Sequence, residues 1–409
     1  MRVMLLVEAL SIGGLPNYVL DLARALSEAG DQVVLAFGGE KVPDHLDTRG
    51  VDLLQLPSSG YAECARILRG WQPQLVHVHL CSDLGLLGVL EALGVPLLRS
   101  FHDYTSVCLR RGRRRFAGDR CQRALGWSCA AYGCLIGAPD PGRRLPRLAD
   151  LPGKLAERAR YRGFDAAIVG STHMGRVLRI NGFDTERTFV VPYFSRFDRY
   201  ACTPTRECLK LPGVPGTDRP VELLFAGQAV AGKGLGPLVK ALAGVRKPWR
   251  LTAVTSGPEL EGVRQFAEAA GLGARIRFIE WLPGDELARY YAAADLFMLP
   301  SVWDDPGPLV GIEALSFGTP VVAFPVGGIP DYVLDGQTGF LARAVAPEAL
   351  AEALERAVQR AVELKTMGEA GRTMVKELHS RGRHVTGIHA AYGHALALAA
   401  RSAPVGVAP

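Results

Sequence analysis

Residues 299–328, LPSVWDDPGPLVGIEALSFGTPVVAFPVGG, read as most of one strand–helix–strand unit. Leu296–Leu299 make a short apolar strand, Val302–Gly307 a loop broken by glycine and proline, Leu309–Phe317 a helix and Pro320–Ala323 the next strand. Strands joined through a helix run parallel. A parallel sheet takes its ligands outside the carboxyl ends of its strands, beside helix N-termini whose free N–H groups suit anions. Asp305 lies in the loop and Glu313 one and a half to two turns into the helix, so two carboxylates with seven residues between them could face the same ligand. Two readings stay open at this point: a pair of ligand contacts, or a solvated loop aspartate and a surface glutamate.

The chain around this unit repeats its pattern. Val221–Ala226 is a buried strand, followed by the loop Gly227-Gln228-Ala229-Val230-Ala231-Gly232-Lys233-Gly234 and a helix carrying Leu238, Leu242 and Val245. A glycine loop with one lysine at a helix start suits a diphosphate, because the helix N–H groups and the ammonium act on the same anion. It lacks the spacing and the Ser/Thr of a Walker A loop, and a solvated lysine in a flexible loop is the alternative. Strands at Arg250–Thr255 and Ile276–Ile279, helices at Leu260–Ala270 and Asp285–Ala293, a last strand at Gly339–Ala342 and helical patterns at Pro347–Val362 and His384–Leu398 complete the second half.

The first half is built the same way. Val3–Val7 is a strand, Ser11-Ile12-Gly13-Gly14-Leu15-Pro16 a glycine turn, and Val19, Leu22, Ala23 and Leu26 recur at helical spacing. Pro16 suits the first turn of that helix, and paired glycines let a ligand approach the backbone; a plain tight turn is the alternative. Strands at Gln32–Phe37, Asp52–Leu56, Leu75–Leu80, Pro96–Phe101, Ala166–Val169 and Phe189–Val191 alternate with helices at Tyr61–Arg69, Leu84–Leu93, Lys154–Tyr161 and Thr172–Arg179, the last with Ser171 as N-cap. The expected fold is α/β with two Rossmann-like, doubly wound domains facing a cleft. Residues 1–200 form the N-terminal, acceptor-side domain with an insertion at about 104–150, and the proline-rich 201–220 the linker. Residues 221–380 form the C-terminal domain, and 381–409 a helix packing back toward the first.

With 409 residues the chain exceeds one ordinary core, and 48% hydrophobic with 22% charged residues is the balance of a soluble enzyme or binding protein. No apolar run reaches the roughly 18 residues that span a bilayer, and no secretory pattern opens the chain, so a cytoplasmic location is expected. The net charge of +6 is modest but local, with Arg110, Arg111, Arg113, Arg114 and Arg115 in one patch and Arg143, Arg144 and Arg147 in another. An anionic acceptor or a phospholipid surface would suit such patches, and a solvated loop would also produce them. Nucleic acid is not expected, because no aromatics alternate with the arginines.

Three further groups carry chemistry. His77 and His79 share one face of a strand and read as packed, hydrogen-bonded residues or as catalytic ones. His102 ends a strand at the ligand edge and opens His102-Asp103-Tyr104. Cys108, Cys121, Cys129 and Cys134 cluster within the insertion, which is expected to shape specificity. Outside an oxidising compartment such a cluster means reduced thiols or a structural zinc site.

Taken together, Ile12-Gly13-Gly14, His77-Val78-His79, His102-Asp103-Tyr104, Phe225-Ala226-Gly227 with Lys233-Gly234, and above all Asp305 to Glu313 running on through Ala314-Leu315-Ser316-Phe317-Gly318-Thr319-Pro320-Val321-Val322-Ala323 resemble the family-4 glycosyltransferases of the two-domain GT-B type. Gly327-Gly328 and Gly336-Gln337-Thr338-Gly339 continue the likeness, which covers nearly the whole chain. The resemblance implies a nucleoside-diphosphate-sugar donor, transfer with retention, no required cofactor or metal, and an acceptor such as a glycan, a small metabolite or a lipid-linked sugar, while the arginine patches would suit peripheral membrane contact. It implies that Glu313 binds the ribose, Asp305 the donor sugar, and the backbone of Gly307, Pro308, Leu309 and Val310 the sugar or diphosphate. Lys233, with the neighbouring Gln228, would meet the leaving diphosphate, Gly13 and Gly14 would close on it from the first domain, and His102 would touch the sugar near the reacting carbon. His102, Lys233 and Asp305 are thus the catalytic candidates. The chain departs from the family in Gln228, where an arginine is usual, and in Asp305, where a glutamate is usual. A sugar-nucleotide 2-epimerase and a non-catalytic sugar-nucleotide binder share the architecture. The absence of any Asp-x-Asp fits a site that answers negative charge with cations and N–H groups.

Overall fold

The computed structural model describes residues 1–10, 14–39, 42–44, 46–57, 60–115, 120–137, 147–198, 215–280, 282 and 284–402. The chain divides into two compact units, Met1–Pro192 together with the residues from His384 onward, and Tyr193–Arg383. The expected linker, 201–220, lies largely outside the described residues.

Unit 1 opens with β1 (Arg2–Val7), α1 (Gly14–Glu28), β2 (Gln32–Phe37), β3 (Asp52–Gln55), α2 (Tyr61–Trp71), β4 (Leu75–Leu80), α3 (Leu84–Glu91) and β5 (Leu97–Phe101). The insertion follows, holding the one-turn α4 (Ser128–Ala131) and the hairpin of β6 (Ile136–Gly137) and β7 (Arg147–Leu148). Then α5 (Leu151–Arg162), β8 (Ala166–Val169), α6 (Thr172–Ile180) and β9 (Thr188–Val190) complete the sheet. Its seven strands are parallel in the order β3-β2-β1-β4-β5-β8-β9. Strands covered on both faces need continuous apolar runs, which is why Arg2–Val7 reads RVMLLV and buries every residue from Val3 to Val7. Asp83 caps α3 by accepting from the N–H groups of Gly85 and Leu86, and Ser171 caps α6 by accepting from that of Met174.

Unit 2 contains β10 (Val221–Ala226), α7 (Leu235–Ala243), β11 (Trp249–Val254), α8 (Leu260–Ala269), β12 (Ile276–Ile279), α9 (Gly284–Ala293), β13 (Leu296–Leu299), α10 (Leu309–Ser316), β14 (Val321–Ala323), β15 (Gly339–Leu341), α11 (Pro347–Gln359) and α12 (Leu364–Leu378). Its six strands are also parallel, in the order β12-β11-β10-β13-β14-β15. Strand order reverses between β1 and β4 in unit 1 and between β10 and β13 in unit 2. A crevice opens at the carboxyl ends of strands at such a reversal. In unit 2 this brings the loop after Ala226 beside the loop after Leu299.

Several elements differ from the sequence reading, among them the short α4, β6 and β7 inside the insertion, where no element is expected. Leu364–Leu378 is a helix where no element is expected. Its glycines look like breakers, yet Gly371 is a packing residue: a Cβ there would stand 2.8 Å from Leu315 Cδ2, so the bare glycine lets α12 lie against α10. The last helix, α13, runs over Arg381–Ser402, longer at both ends than expected, and from His384 onward belongs to unit 1. Among the described residues no helix is long and apolar enough to cross a membrane.

Candidate active site

In unit 2 the glycine loop after β10 ends in a 3₁₀ turn, Ala231–Lys233. Gly234 follows with φ 75°, a left-handed conformation that favours glycine, and a Cβ there would overlap the carbonyl oxygen of Pro300. The loop therefore presses against the segment after β13, and the N–H of Val302 donates to the Gly232 carbonyl at 2.9 Å. Across this contact Lys233 Nζ donates to Asp305 Oδ2 at 2.6 Å. Asp305 Oδ1 accepts a longer bond, 3.4 Å, from the Gly307 N–H. A second left-handed glycine, Gly327 with φ 56°, lies where a Cβ would meet the Asp305 backbone, and the N–H of Gly328 donates to the Asp305 carbonyl at 2.8 Å. Asp305 is thus fixed from both sides, with a carboxylate 18% exposed beside a lysine 39% exposed.

Pro308 precedes α10 without a side-chain cap, which leaves the first-turn N–H groups of Leu309 and Val310 for a ligand's oxygens. The buried Tyr332 holds this corner by donating from its hydroxyl to the Pro308 carbonyl at 3.0 Å. One and a half turns along, Glu313 is buried. Arg196 Nε stands 2.9 Å from Glu313 Oε1, and the Tyr291 hydroxyl donates to Oε2 at 2.8 Å. Tyr291 is packed face to face on Phe317, with ring centroids 5.8 Å apart, and burial with the Glu313 carboxylate raises its pKa well above that of a free tyrosine. Gln228 is exposed at the start of the glycine loop.

Arg196 and Tyr291 escape sequence reasoning because they lie 117 and 22 positions before Glu313. Nothing local in the sequence marks them. Two buried hydroxyls at the same sheet edge also have no partner among the described residues, Thr255 Oγ1 after β11 and Ser301 Oγ after β13. Buried polar atoms ordinarily find a partner, so these two mark the edge as a place for a polar ligand or water.

Unit 1 gathers its histidines. His77 is fully buried, with Nδ1 2.8 Å from the Tyr392 hydroxyl and Nε2 2.8 Å from Ser100 Oγ. Both nitrogens are consumed, the packed alternative for this residue, and burial with the neighbouring His384 pushes its pKa down to about 3. His79 is different: Nδ1 lies 2.9 Å from His102 Nε2, while its own Nε2 is buried without a partner among the described residues. An orphaned N–H is costlier inside a protein than a bare lone pair, so the proton of His79 is assigned to Nδ1 and donates to His102, which then carries its own proton on Nδ1. Burial, with the charges of neighbouring histidines and Arg99, holds the pKa of both rings well below that of a free histidine. Tyr18 of α1 stacks edge-on against His102 at 5.1 Å and bonds His384 Nε2 at 2.8 Å; His384 Nδ1 donates to the Pro192 carbonyl at 2.7 Å. Gly14 opens α1, and Gly13 lies outside the described residues.

The zinc alternative gains no support among the described residues. Among the described residues no group of three or more His, Cys, Asp or Glu is placed to hold a metal ion. Cys108, Cys121, Cys129 and Cys134 are free thiols, and burial pushes the pKa of Cys108 and Cys134 up. The Cys134 thiol instead points at the Tyr132 carbonyl, 3.7 Å away.

Comparison with known proteins agrees with this architecture. Residues 12–194 match the family described as Glycosyltransferase Family 4, and residues 214–374 match Glycosyl transferases group 1. The chain is 30% identical over 396 residues to D-inositol 3-phosphate glycosyltransferase 2 of Catenulispora acidiphila, covering 87% of this chain and 84% of that one. It is 28% identical over 357 residues to 2-deoxystreptamine N-acetyl-D-glucosaminyltransferase of Streptomyces fradiae, covering 79% and 77%. Among solved structures, Anabaena HepE in complex with UDP superposes with a TM-score of 0.74 at 16% identity, over 96% of this chain and all of that one, a likeness of fold alone. Two parallel doubly wound sheets, both family matches and relatives aligned over most of their length lead to one conclusion: the chain belongs to the family-4 glycosyltransferases and has the GT-B fold.

Proposed function

We propose that this glycosyltransferase moves a sugar, with retention at the anomeric carbon, from a nucleoside-diphosphate sugar to a hydroxyl or amine of a cyclitol acceptor. The observation that carries the donor assignment is the Lys233–Asp305 pair at 2.6 Å, set beside the uncapped start of α10. Cleavage of the donor's anomeric bond leaves negative charge on the diphosphate. A fixed ammonium and aligned N–H groups stabilise that charge without reorganising when the bond breaks, so no divalent metal is required in this reading. Once the diphosphate engages Lys233, Asp305 is free to accept hydroxyl donors from the sugar, and its shorter side chain sets a different reach from a glutamate. Glu313, oriented by Arg196 and Tyr291, accepts from the ribose diol. His102, with its proton on Nδ1 through His79, and Gly13 and Gly14 are the unit 1 candidates that the family resemblance names.

The acceptor class follows from the relatives, one named for an inositol phosphate and the other for 2-deoxystreptamine; both compounds are hydroxylated six-membered carbocycles. Incubation with UDP-, GDP-, dTDP- and ADP-sugars, with and without inositol phosphate or 2-deoxystreptamine, tests both halves. The expected result is nucleoside diphosphate release that depends on a cyclitol and yields a product of unchanged anomeric configuration. Release of an epimerised sugar without acceptor, or an inverted product, would overturn it.

A further inference from the structure

The insertion between β5 and α5 carries a charge that the rest of the chain lacks. Residues 102–150, the stretch between these two elements, hold ten arginines and no lysine against Asp103, Asp119, Asp140 and Asp150, so this segment carries +6 and the remainder of a chain of net +6 carries no net charge. The same segment holds two of the three most exposed large hydrophobic residues of the described chain, Trp127 at 72% and Leu148 at 75%. Isolated apolar residues are normal on protein surfaces. These are not isolated. Leu148 is the direct cross-strand partner of the exposed Ile136 in the β6–β7 hairpin, and directly opposed residues in an antiparallel pair point to the same face. Trp127 leads into the same hairpin through α4 and a tight turn, closed by the Cys134 N–H on the Cys129 carbonyl and the Ile136 N–H on the Gly133 carbonyl. Arg110 reaches the hairpin edge, donating to the Ile136 carbonyl at 3.1 Å, and Arg111, Arg120 and Arg123 are exposed around it.

We infer that this insertion docks the enzyme onto an anionic phospholipid bilayer. Its three exposed apolar side chains enter the interface and its arginines engage the lipid phosphates. Each component suits that partner. An indole is at home at the level of lipid headgroups, where one part of the ring is apolar and the N–H is wet. Guanidinium forks match phosphate oxygens bidentately, which favours arginine over lysine. A near-neutral remainder of the molecule leaves this lobe to set the orientation in the field of an anionic surface. A nucleic acid would be held by the arginines alone and would leave the paired Leu148 and Ile136 without a role.

The test is co-sedimentation of the full chain with vesicles of phosphatidylcholine, or of phosphatidylcholine with one third phosphatidylglycerol. The expected result is binding to the anionic vesicles only, lost on raising salt from about 0.1 M to about 1 M. Arg111→Gln/Arg120→Gln/Arg123→Gln should weaken partitioning about fivefold per arginine, on the order of a hundredfold in all. Trp127→Ser/Leu148→Ser leaves the charge intact and should weaken it at least about tenfold. Both variants should release nucleoside diphosphate from a soluble donor and acceptor at the wild-type rate, which shows that they are folded. No preference for anionic vesicles, or binding unchanged by the apolar variant, would overturn the inference. RNA competing with the vesicles while the apolar variant binds normally would also overturn it and assign the lobe to a polyanion.

Discussion

Removing the Lys233 ammonium should cost more than the loss of one contact, because the structure pairs it with Asp305 at 2.6 Å. Two effects add in Lys233→Ala. The diphosphate loses a preorganised cation, and deletion of one such stabilising group costs about 3–4 kcal/mol, or about 10²–10³ in kcat. Asp305 also loses its partner and faces the departing diphosphate as an uncompensated negative charge. With Asp305 only 18% exposed, solvent screens that repulsion incompletely, and about 1 kcal/mol more is expected at an effective dielectric near that of a protein surface. The total is a fall in kcat of about 10³-fold. The second effect vanishes when Asp305 is made neutral, so in a Lys233→Ala/Asp305→Asn cycle the double variant should be less impaired than the product of the two single losses. The assay is steady-state release of nucleoside diphosphate, with circular dichroism to show that the fold survives. A kcat for Lys233→Ala within about threefold of wild type would refute the electrostatic reasoning, since removal of an engaged group cannot be that mild.

Other consequences follow from the same geometry. Arg196→Ala removes the guanidinium beside the buried Glu313 carboxylate and leaves it the Tyr291 hydroxyl; since the guanidinium is one third exposed, the loss of stability should be about 1–3 kcal/mol, read as a lower urea midpoint with Arg196→Lys intermediate. Gly234→Ala forces a Cβ into the left-handed region and against the Pro300 carbonyl, so it should destabilise by about 2 kcal/mol or more and disturb Lys233, whereas Ala at the unencumbered Gly236 of α7 should be neutral or stabilising. Acid should unfold unit 1 through its histidines. The folded pKa of His77 is about 3 and those of His79 and His102 are also depressed, so below about pH 6.5 the unfolded chain binds more protons. The stabilisation from His77 is complete above pH 6.5 and falls by about 1.4 kcal/mol per pH unit as pH drops toward 3, with His79 and His102 adding in the same direction, which denaturant titrations at pH 7, 6 and 5 should show and which His77→Gln should make shallower.

How much was legible in the sequence varies by element. The parallel sheets announce themselves because strands buried on both faces must be written as apolar runs such as RVMLLV and LFML, and glycines appear where loops approach one another. Asp305, Lys233 and Glu313 are legible for the same reason: they sit at strand and helix ends where a doubly wound sheet exposes its ligand edge. What was hidden depends on contacts between distant positions. Arg196 meets Glu313, and His77 meets Tyr392 across 315 positions, with nothing in local periodicity to pair them. The α12 helix was hidden by Gly371, whose missing side chain is read locally as a breaker but in the fold admits Leu315. The cysteine cluster leaves reduced thiols and a structural zinc site open, with spacings wider than paired C-x-x-C; among the described residues no metal-holding group forms, and the Cys134 thiol lies against the Tyr132 carbonyl.

The central claim is that the Lys233 and Asp305–Glu313 elements of unit 2 hold the nucleoside diphosphate of the donor. Isothermal titration of the full chain with UDP, GDP, dTDP and ADP, against Glu313→Ala and Lys233→Ala, tests it most directly. Saturable binding of one of these nucleotides by the wild type, weakened at least about tenfold in each variant by loss of a charge-assisted contact, is the predicted result. Equal affinity in the wild type and both variants would contradict the account.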